Sequence, residues 1–121
     1  MTPPMPELRW CFSDLFHPET WRSLSWEAFR PGVEISSVHG RASETGAAAF
    51  LRYQPGAGIA SHTHNGYEYI LILEGSQQDE RGLYPAGSML VHGPGTQHEV
   101  SSPDGCVVFA VWTDSLTAQS T

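Results

Sequence analysis

The sequence of 121 residues contains no lysine, and its six basic residues are arginines spread singly along the chain. The formal net charge is −7. Arginines at such spacing do not form a continuous basic surface. We therefore do not expect nucleic acid as a partner. The lack of lysine also excludes a Schiff-base mechanism, which needs a lysine amine.

Cysteine is scarce as well, and long apolar runs are missing. Cys11 and Cys106 form no C-x-x-C pair and give no sign of a disulfide framework, so reduced thiols are expected. Residues 1–10 contain no apolar run of signal-peptide length, and no stretch approaches the ~20 apolar residues of a membrane span. We therefore expect a cytoplasmic protein without a membrane partner.

Sustained helical periodicity is the third missing feature. Glycine and proline, with 12 and 9 residues, separate short segments rich in β-branched and aromatic side chains. Roughly nine or ten such segments predict an all-β antiparallel sandwich or barrel. The clearest strands are expected at residues 26–29, 32–38, 47–53, 59–63, 67–73, 77–80, 88–92, 97–101 and 106–112.

A chain of this length predicts one domain. Residues 1–25 are expected to form an arm packed on the barrel, residues 26–114 the barrel itself, and residues 115–121 a polar tail that frays. Within the arm, Pro18 is expected to end any preceding helix and to leave at most a short turn over residues 18–21.

The clearest chemical pattern lies in residues 56–75. His62 and His64 are two positions apart, so a strand places both side chains on one face. Glu68 follows at an even spacing beyond Asn65-Gly66, a strong hairpin signal. A hairpin would therefore bring the Glu68 carboxylate to the face that the two histidines occupy.

His98 is the fourth candidate, just after a Gly-Pro-Gly break. Three imidazoles and one carboxylate suit zinc, iron, manganese, nickel or copper, whereas magnesium and calcium prefer oxygen ligands. The alternative is a polar barrel mouth that binds no metal. His92 shares the parity of His98, so it is either a structural histidine or a further contact to the site. The predicted metal ligands are His62, His64, Glu68 and His98.

The spacing of these residues resembles the two motifs of the cupin superfamily. The first motif matches at every position as Gly56-x5-His62-x-His64-x3-Glu68-x6-Gly75. The second is similar to Gly87-x5-Gly93-Pro94-Gly95-x2-His98. The resemblance implies a single-domain cupin, which is an antiparallel jelly-roll β-barrel, with one divalent metal on the four residues. It also implies a homodimer, as is common among cupins.

Residues 26–112 resemble more narrowly the cupin domain of ChrR-type anti-sigma factors. The segments that carry the likeness read PGV, LRYQPGA, YEYILILEGS and GLYPAGS. In that family the cupin binds zinc and follows a zinc-binding helical domain that holds the sigma factor, and this sequence contains no His-x3-Cys-x2-Cys run. The resemblance therefore implies a stand-alone cupin with zinc, or alternatively iron, nickel or manganese, and it gives no support to an anti-sigma activity.

Two functions remain open. The first is a metal-binding regulatory or sensor module similar to the ChrR cupin. The second is a metal-dependent dioxygenase-like enzyme that acts on a small oxygen-chelating substrate such as a β-diketone, an activity known among related single-domain cupins. Either function would place a small molecule at the metal, and no catalytic residue is assigned.

Overall fold

The chain folds into ten strands and one short helix in the computed structural model, which describes residues 11–41, 46–114 and 116–118. The strands are β1 (Glu27–Arg30), β2 (Val33–His39), β3 (Ala47–Tyr53), β4 (Gly58–His64), β5 (Glu68–Asp79), β6 (Gly82–Pro85), β7 (Met89–His92), β8 (Gln97–Ser101), β9 (Cys106–Trp112) and β10 (Leu116–Ala118).

Helix α1 (Pro18–Arg22) replaces the turn predicted over residues 18–21. Pro18 begins this helix rather than ending one, because the first turn needs no N–H from it. The Nδ1 atom of His17 accepts a hydrogen bond from the Glu19 N–H and caps the helix. No helix among the described residues is long and apolar enough to cross a membrane.

The strands form two antiparallel sheets joined by β5. The first sheet has the order β1-β2-β3-β9-β5-β7, and the second contains β6, β5, β8, β4 and β10. A register shift after Ile72 and a positive φ of 74° at Gly75 mark the point where β5 passes from β9 to β6. One bent strand therefore replaces the two strands predicted at 67–73 and 77–80, and the all-β antiparallel prediction is confirmed.

The predicted hairpin between β4 and β5 is wrong. β4 pairs with β8 and β10 in the second sheet, whereas the beginning of β5 pairs with β7 and β9 in the first. The Tyr67 N–H donates to Thr113 Oγ1 at 2.8 Å, and the Thr113 N–H donates to the Tyr67 carbonyl at 3.0 Å. These bonds anchor β5 to the first sheet, so Asn65-Gly66 joins the two sheets.

Part of the tail that was predicted to fray is strand β10. Its backbone pairs with residues His62, Thr63 and His64 of β4. The pairing covers the edge of β4, which would otherwise expose unpaired backbone groups.

Two apolar clusters lie on opposite faces of the first sheet. The inner cluster fills the space between the sheets and includes Leu51, Ile70, Ile72, Val108 and Trp112. The outer cluster consists of Trp21, Phe50, Leu73 and Val107, with residues of the segment 12–26 packed against it. Because side chains alternate along a strand, β3, β5 and β9 each contribute to both clusters.

Candidate metal centre

The structure brings all four predicted ligands together in the barrel interior. His62 and His64 project from β4, His98 from β8 and Glu68 from β5. One ligand atom from each lies within 4.8 Å of the others, and all four residues are buried. His62 and His98 are register partners on neighbouring strands. Glu68 reaches the histidines from the opposite sheet, not across a hairpin.

Hydrogen bonds behind the rings orient His62 and His64. His62 Nδ1 lies 3.0 Å from the Ala60 carbonyl oxygen, and His64 Nδ1 lies 3.0 Å from Thr96 Oγ1. The Thr96 hydroxyl donates its own hydrogen to the Gly93 carbonyl at 2.6 Å. Because both partners must accept, each imidazole carries its proton on Nδ1. Each Nε2 atom therefore carries a lone pair that could bind an ion.

The contact between His64 and Glu68 fits a bound cation. His64 Nε2 and Glu68 Oε1 lie 3.0 Å apart. Both are buried, and neither has a hydrogen-bond partner within the part of the chain that the structure describes. Two buried acceptors at this distance repel each other, and leaving them unsatisfied is costly. A divalent ion would give both a partner, so the cluster could hold one.

The buried surroundings favour the protonation states that ligation needs. Burial lowers the pKa of His98 from its ordinary value of 6.5 to about 4. Burial also lowers the pKa of His62, partly opposed by the hydrogen bond to Ala60. For Glu68, burial raises the pKa, but His64 and His92 in their protonated forms and the Trp112 N–H outweigh burial and hold it well below 4.5. At neutral pH the site therefore presents neutral His62 and His98 and an ionised Glu68.

Glu68 has two further neighbours that sequence reasoning did not assign to it. His92 on β7 and Trp112 on β9 are its register partners on either side. Trp112 Nε1 donates to Glu68 Oε2 at 2.5 Å, and His92 Nδ1 lies 3.3 Å from Glu68 Oε1. The His92 ring also stacks on His64, with centroids 5.1 Å apart. His92 is therefore in contact with the site, and Trp112 belongs both to the inner cluster and to the site.

A cavity of about 830 Å³ reaches this cluster from the barrel interior. His62, Glu68 and His98 line it together with Trp112 and Tyr53, and burial raises the pKa of the Tyr53 hydroxyl well above 10. Most of its other walls are apolar, and they include Phe29, Ile35, Leu51, Ile59, Ile70 and Val100. A small, largely apolar molecule could therefore approach the candidate ligands from one side.

Solved structures share the fold of this chain. A chain of the complex between SigE and the anti-sigma ChrR from Rhodobacter sphaeroides superposes with a TM-score of 0.68 at 22% identity. That match covers 76% of this chain and 51% of the other, so this chain spans about half of the other's length. No curated protein is significantly similar in sequence.

Two further solved structures share the fold. An RmlC-like cupin from Ralstonia eutropha JMP134 has a TM-score of 0.69 at 18% identity and covers 79% of this chain and 67% of its own. The acetylacetone dioxygenase from Acinetobacter johnsonii has a TM-score of 0.65 at 17% identity, covering 72% and 66%. At such identities these likenesses establish the fold, which is the jelly-roll barrel of cupins.

The sequence itself carries the family assignment. The family described as the ChrR cupin-like domain matches residues 19–115, which include all four candidate ligands and most of the barrel. The resemblance predicted from the two motifs is thus confirmed, and the chain belongs to the ChrR cupin-like domain family.

Proposed function

We propose that this chain is a divalent-metal-binding cupin whose ion is held by His62, His64, Glu68 and His98. The observation that carries the proposal is the contact between His64 Nε2 and Glu68 Oε1, 3.0 Å apart and buried. Neither atom has a hydrogen-bond partner among the described residues. Both atoms are acceptors, so a cation bound between them would satisfy both.

Zinc is the ion we propose first, with iron, nickel or manganese as alternatives. Three imidazoles and a carboxylate suit all of these ions, and zinc is the ion that the resemblance to ChrR-type cupin domains implies. Once bound, the ion would supply Lewis-acid polarisation of a ligand's oxygen atoms.

We propose a regulatory or sensor role for the metal site, in which a small molecule from the cavity binds beside the ion. The likeness in fold to a chain of the complex between SigE and the anti-sigma ChrR supports a regulatory role. The free thiols of exposed Cys11 and buried Cys106 suit the reducing cytoplasm that we propose as its location.

A dioxygenase-like enzyme is the second candidate, because the cavity is large, mainly apolar and open to three of the four candidate ligands. Such a cavity would accept a small β-diketone, and an acetylacetone dioxygenase shares the fold. This activity would require iron or another redox-active ion.

Metal analysis of the purified protein tests the proposal. We expect tightly bound zinc in the wild type, loss of most of it in His64→Ala, and an intact barrel in both, because sheet packing stabilises a domain of this size. A wild type that takes up no divalent ion would contradict the metal site. Iron together with oxygen uptake on a β-diketone would replace the sensor role by the enzyme.

We also propose a homodimer. Tyr69 of β5, Met89 and Val91 of β7, and Tyr67 just before β5 are exposed by 39, 64, 50 and 49% on the outer face of the first sheet. Such an apolar patch is typical of an interface. Light scattering should give twice the chain mass for the wild type and for Leu83→Glu, a control on exposed β6. Val91→Glu should give a monomer, and a monomeric wild type would contradict the proposal.

A further inference from the structure

A second group of metal-ligating side chains adjoins the first and shares His98 with it. Asp79 lies at the end of β5, His92 at the end of β7 and His98 near the start of β8. One ligand atom from each lies within 4.8 Å of the other two. Two imidazoles and one carboxylate form a donor set that zinc and copper accept.

The two ring nitrogens of His98 have different surroundings. Nε2 belongs to the first cluster, 2.9 Å from His62 Nε2 and 3.6 Å from Glu68 Oε1. Nδ1 is buried and has no hydrogen-bond partner anywhere in residues 11–41, 46–114 or 116–118. His98 itself is only 5% exposed. A buried ring nitrogen that the protein leaves unsatisfied points to a partner from outside the chain.

Asp79 is held in a fixed orientation by three hydrogen bonds. Its Oδ1 atom accepts hydrogen bonds from the Arg81 N–H at 2.8 Å, the Gly82 N–H at 3.2 Å and the Tyr84 hydroxyl at 2.9 Å. Such bonds behind a carboxylate are typical of metal ligands, because they fix its direction while the second oxygen binds the ion.

His92 completes the group. Its side chain is 17% exposed, and its Nδ1 is buried with no hydrogen-bond partner in the described chain. Its ring centroid lies 4.4 Å from that of His98. One ring nitrogen of His92 lies within 4.8 Å of one ligand atom each of Asp79 and His98.

We propose that Asp79, His92 and Nδ1 of His98 form a second divalent-metal position, which shares the His98 imidazole with the first. The proposal rests on the proposed function, because His98 Nε2 must hold the first ion. That ion makes the Nδ1 proton more acidic, and the second ion takes the proton's place as the proton leaves to solvent. Glu68, Asp79 and the shared imidazolate then offset three of the four positive charges of two divalent ions.

Titration of the metal-free full chain with Zn(II), followed by elemental analysis after dialysis, tests the second position. We expect two zinc ions per chain in the wild type and one in both Asp79→Asn and His92→Gln. Glu74→Gln removes the same charge from an exposed position of β5, and His39→Gln removes an exposed histidine from β2. Both controls should bind two ions. Circular dichroism should show the same β content in every variant.

The outcomes separate this proposal from the metal site on which it rests. A wild type that binds one ion, lost in His64→Ala and kept in Asp79→Asn, would overturn the second position alone. A wild type that binds no ion would overturn both. Two ions that persist in Asp79→Asn and in His92→Gln would also overturn the assignment of the second position to these residues.

Copper tests whether His98 is shared. Two Cu(II) ions joined by one imidazolate couple their unpaired electrons, so the electron paramagnetic resonance intensity at low temperature should fall well below that expected for the bound copper. Asp79→Asn, with one Cu(II), should show full intensity. Full intensity from a wild type that holds two Cu(II) ions would overturn the shared imidazole.

Discussion

At the residue scale, a single hydroxyl group fixes the orientation of His64. Thr96 Oγ1 lies 3.0 Å from His64 Nδ1 and donates its hydrogen to the Gly93 carbonyl. Thr96→Val keeps the shape of the side chain but removes both bonds, so His64 can rotate or change tautomer. We expect zinc affinity to fall by about 10- to 100-fold, measured by competition with a chelator. Thr96→Ser, which keeps the hydroxyl, should bind zinc nearly as the wild type does; equal affinity in Thr96→Val would contradict this role.

His98 makes the stability of the metal-free protein depend on pH. Its pKa is about 4 in the folded protein, against an ordinary value of 6.5 that describes the unfolded chain. Between these values the unfolded chain binds a proton that the folded imidazole does not, so stability falls as pH decreases from 6.5 towards 4. From pH 7.5 to 5 the loss due to His98 is about 2 kcal/mol.

Urea unfolding of the metal-free protein at pH 7.5 and 5 measures this loss. The window lies above the ordinary Glu68 value of 4.5, and the lowered pKa of Glu68 gives a stabilisation that is lost only at still lower pH. His98→Gln should lose less stability over the same interval, because the titrating group is gone. An equal loss in wild type and variant would mean that His98 does not cause it.

The pH at which zinc leaves the protein should depend on the lowered pKa of His98. Protons weaken ion binding only below the pKa of the free imidazoles, so histidines with an ordinary pKa would begin to weaken it near pH 6.5. Since burial lowers the pKa of His98 to about 4, we expect zinc to remain bound at pH 5.5 and to leave as pH falls towards 4. Dialysis at stepped pH followed by elemental analysis measures the zinc that remains, and zinc loss that is already complete at pH 5.5 would contradict the lowered pKa of His98.

At the element scale, alternation along strands is what the sequence predicts best. The placement of His62 and His64 on one face needs only the two-residue period of a strand. Glu68 and His98 were predicted from their spacing and from the resemblance to the two cupin motifs. The contacts of Trp112, His92 and Asp79 depend on which strands become neighbours, and the relevant pairs lie far apart in sequence. The same cause explains the wrong hairpin, since Asn65-Gly66 specifies a turn but not the sheet that receives the next strand.

Gly56 and Gly75, the first and last residues of the first motif, have different structural roles. Gly56 and Gly75 both adopt positive φ, at 83° and 74°. A Cβ at Gly56 would meet no described atom within 4 Å, whereas one at Gly75 would overlap the Gly105 carbonyl oxygen next to β9. We expect Gly56→Ala to cost about 1–2 kcal/mol from backbone strain alone. Gly75→Ala should cost clearly more, because the β5–β9 contact must also open.

Thermal or urea unfolding of both variants separates backbone strain from steric overlap. The Gly75→Ala variant should also bind zinc more weakly, since the bend in β5 positions Glu68 and Asp79 in different sheets. Similar unfolding free energies for the two variants would show that the close approach at Gly75 relaxes without cost.

At the scale of the whole molecule, the first sheet separates two apolar clusters, and only one of them contacts the metal centre. The inner cluster contains Trp112 and Ile70, beside the ligands. The outer cluster joins Trp21 of α1 to Phe50, Leu73 and Val107. Stability and metal affinity should therefore respond differently to changes on the two faces.

Trp21 tests this separation. It is 3% exposed, and Trp21→Ala should lower the free energy of unfolding by about 3–5 kcal/mol, the usual cost of a large cavity. Trp21→Phe should cost much less, because Trp21 Nε1 is buried without a hydrogen-bond partner in the described residues, and phenylalanine removes that unsatisfied group. Zinc affinity, measured where both variants are folded, should match the wild type because the sheet lies between Trp21 and the ligands. Weaker zinc binding by folded Trp21→Ala would show that the outer cluster shapes the metal centre through the sheet.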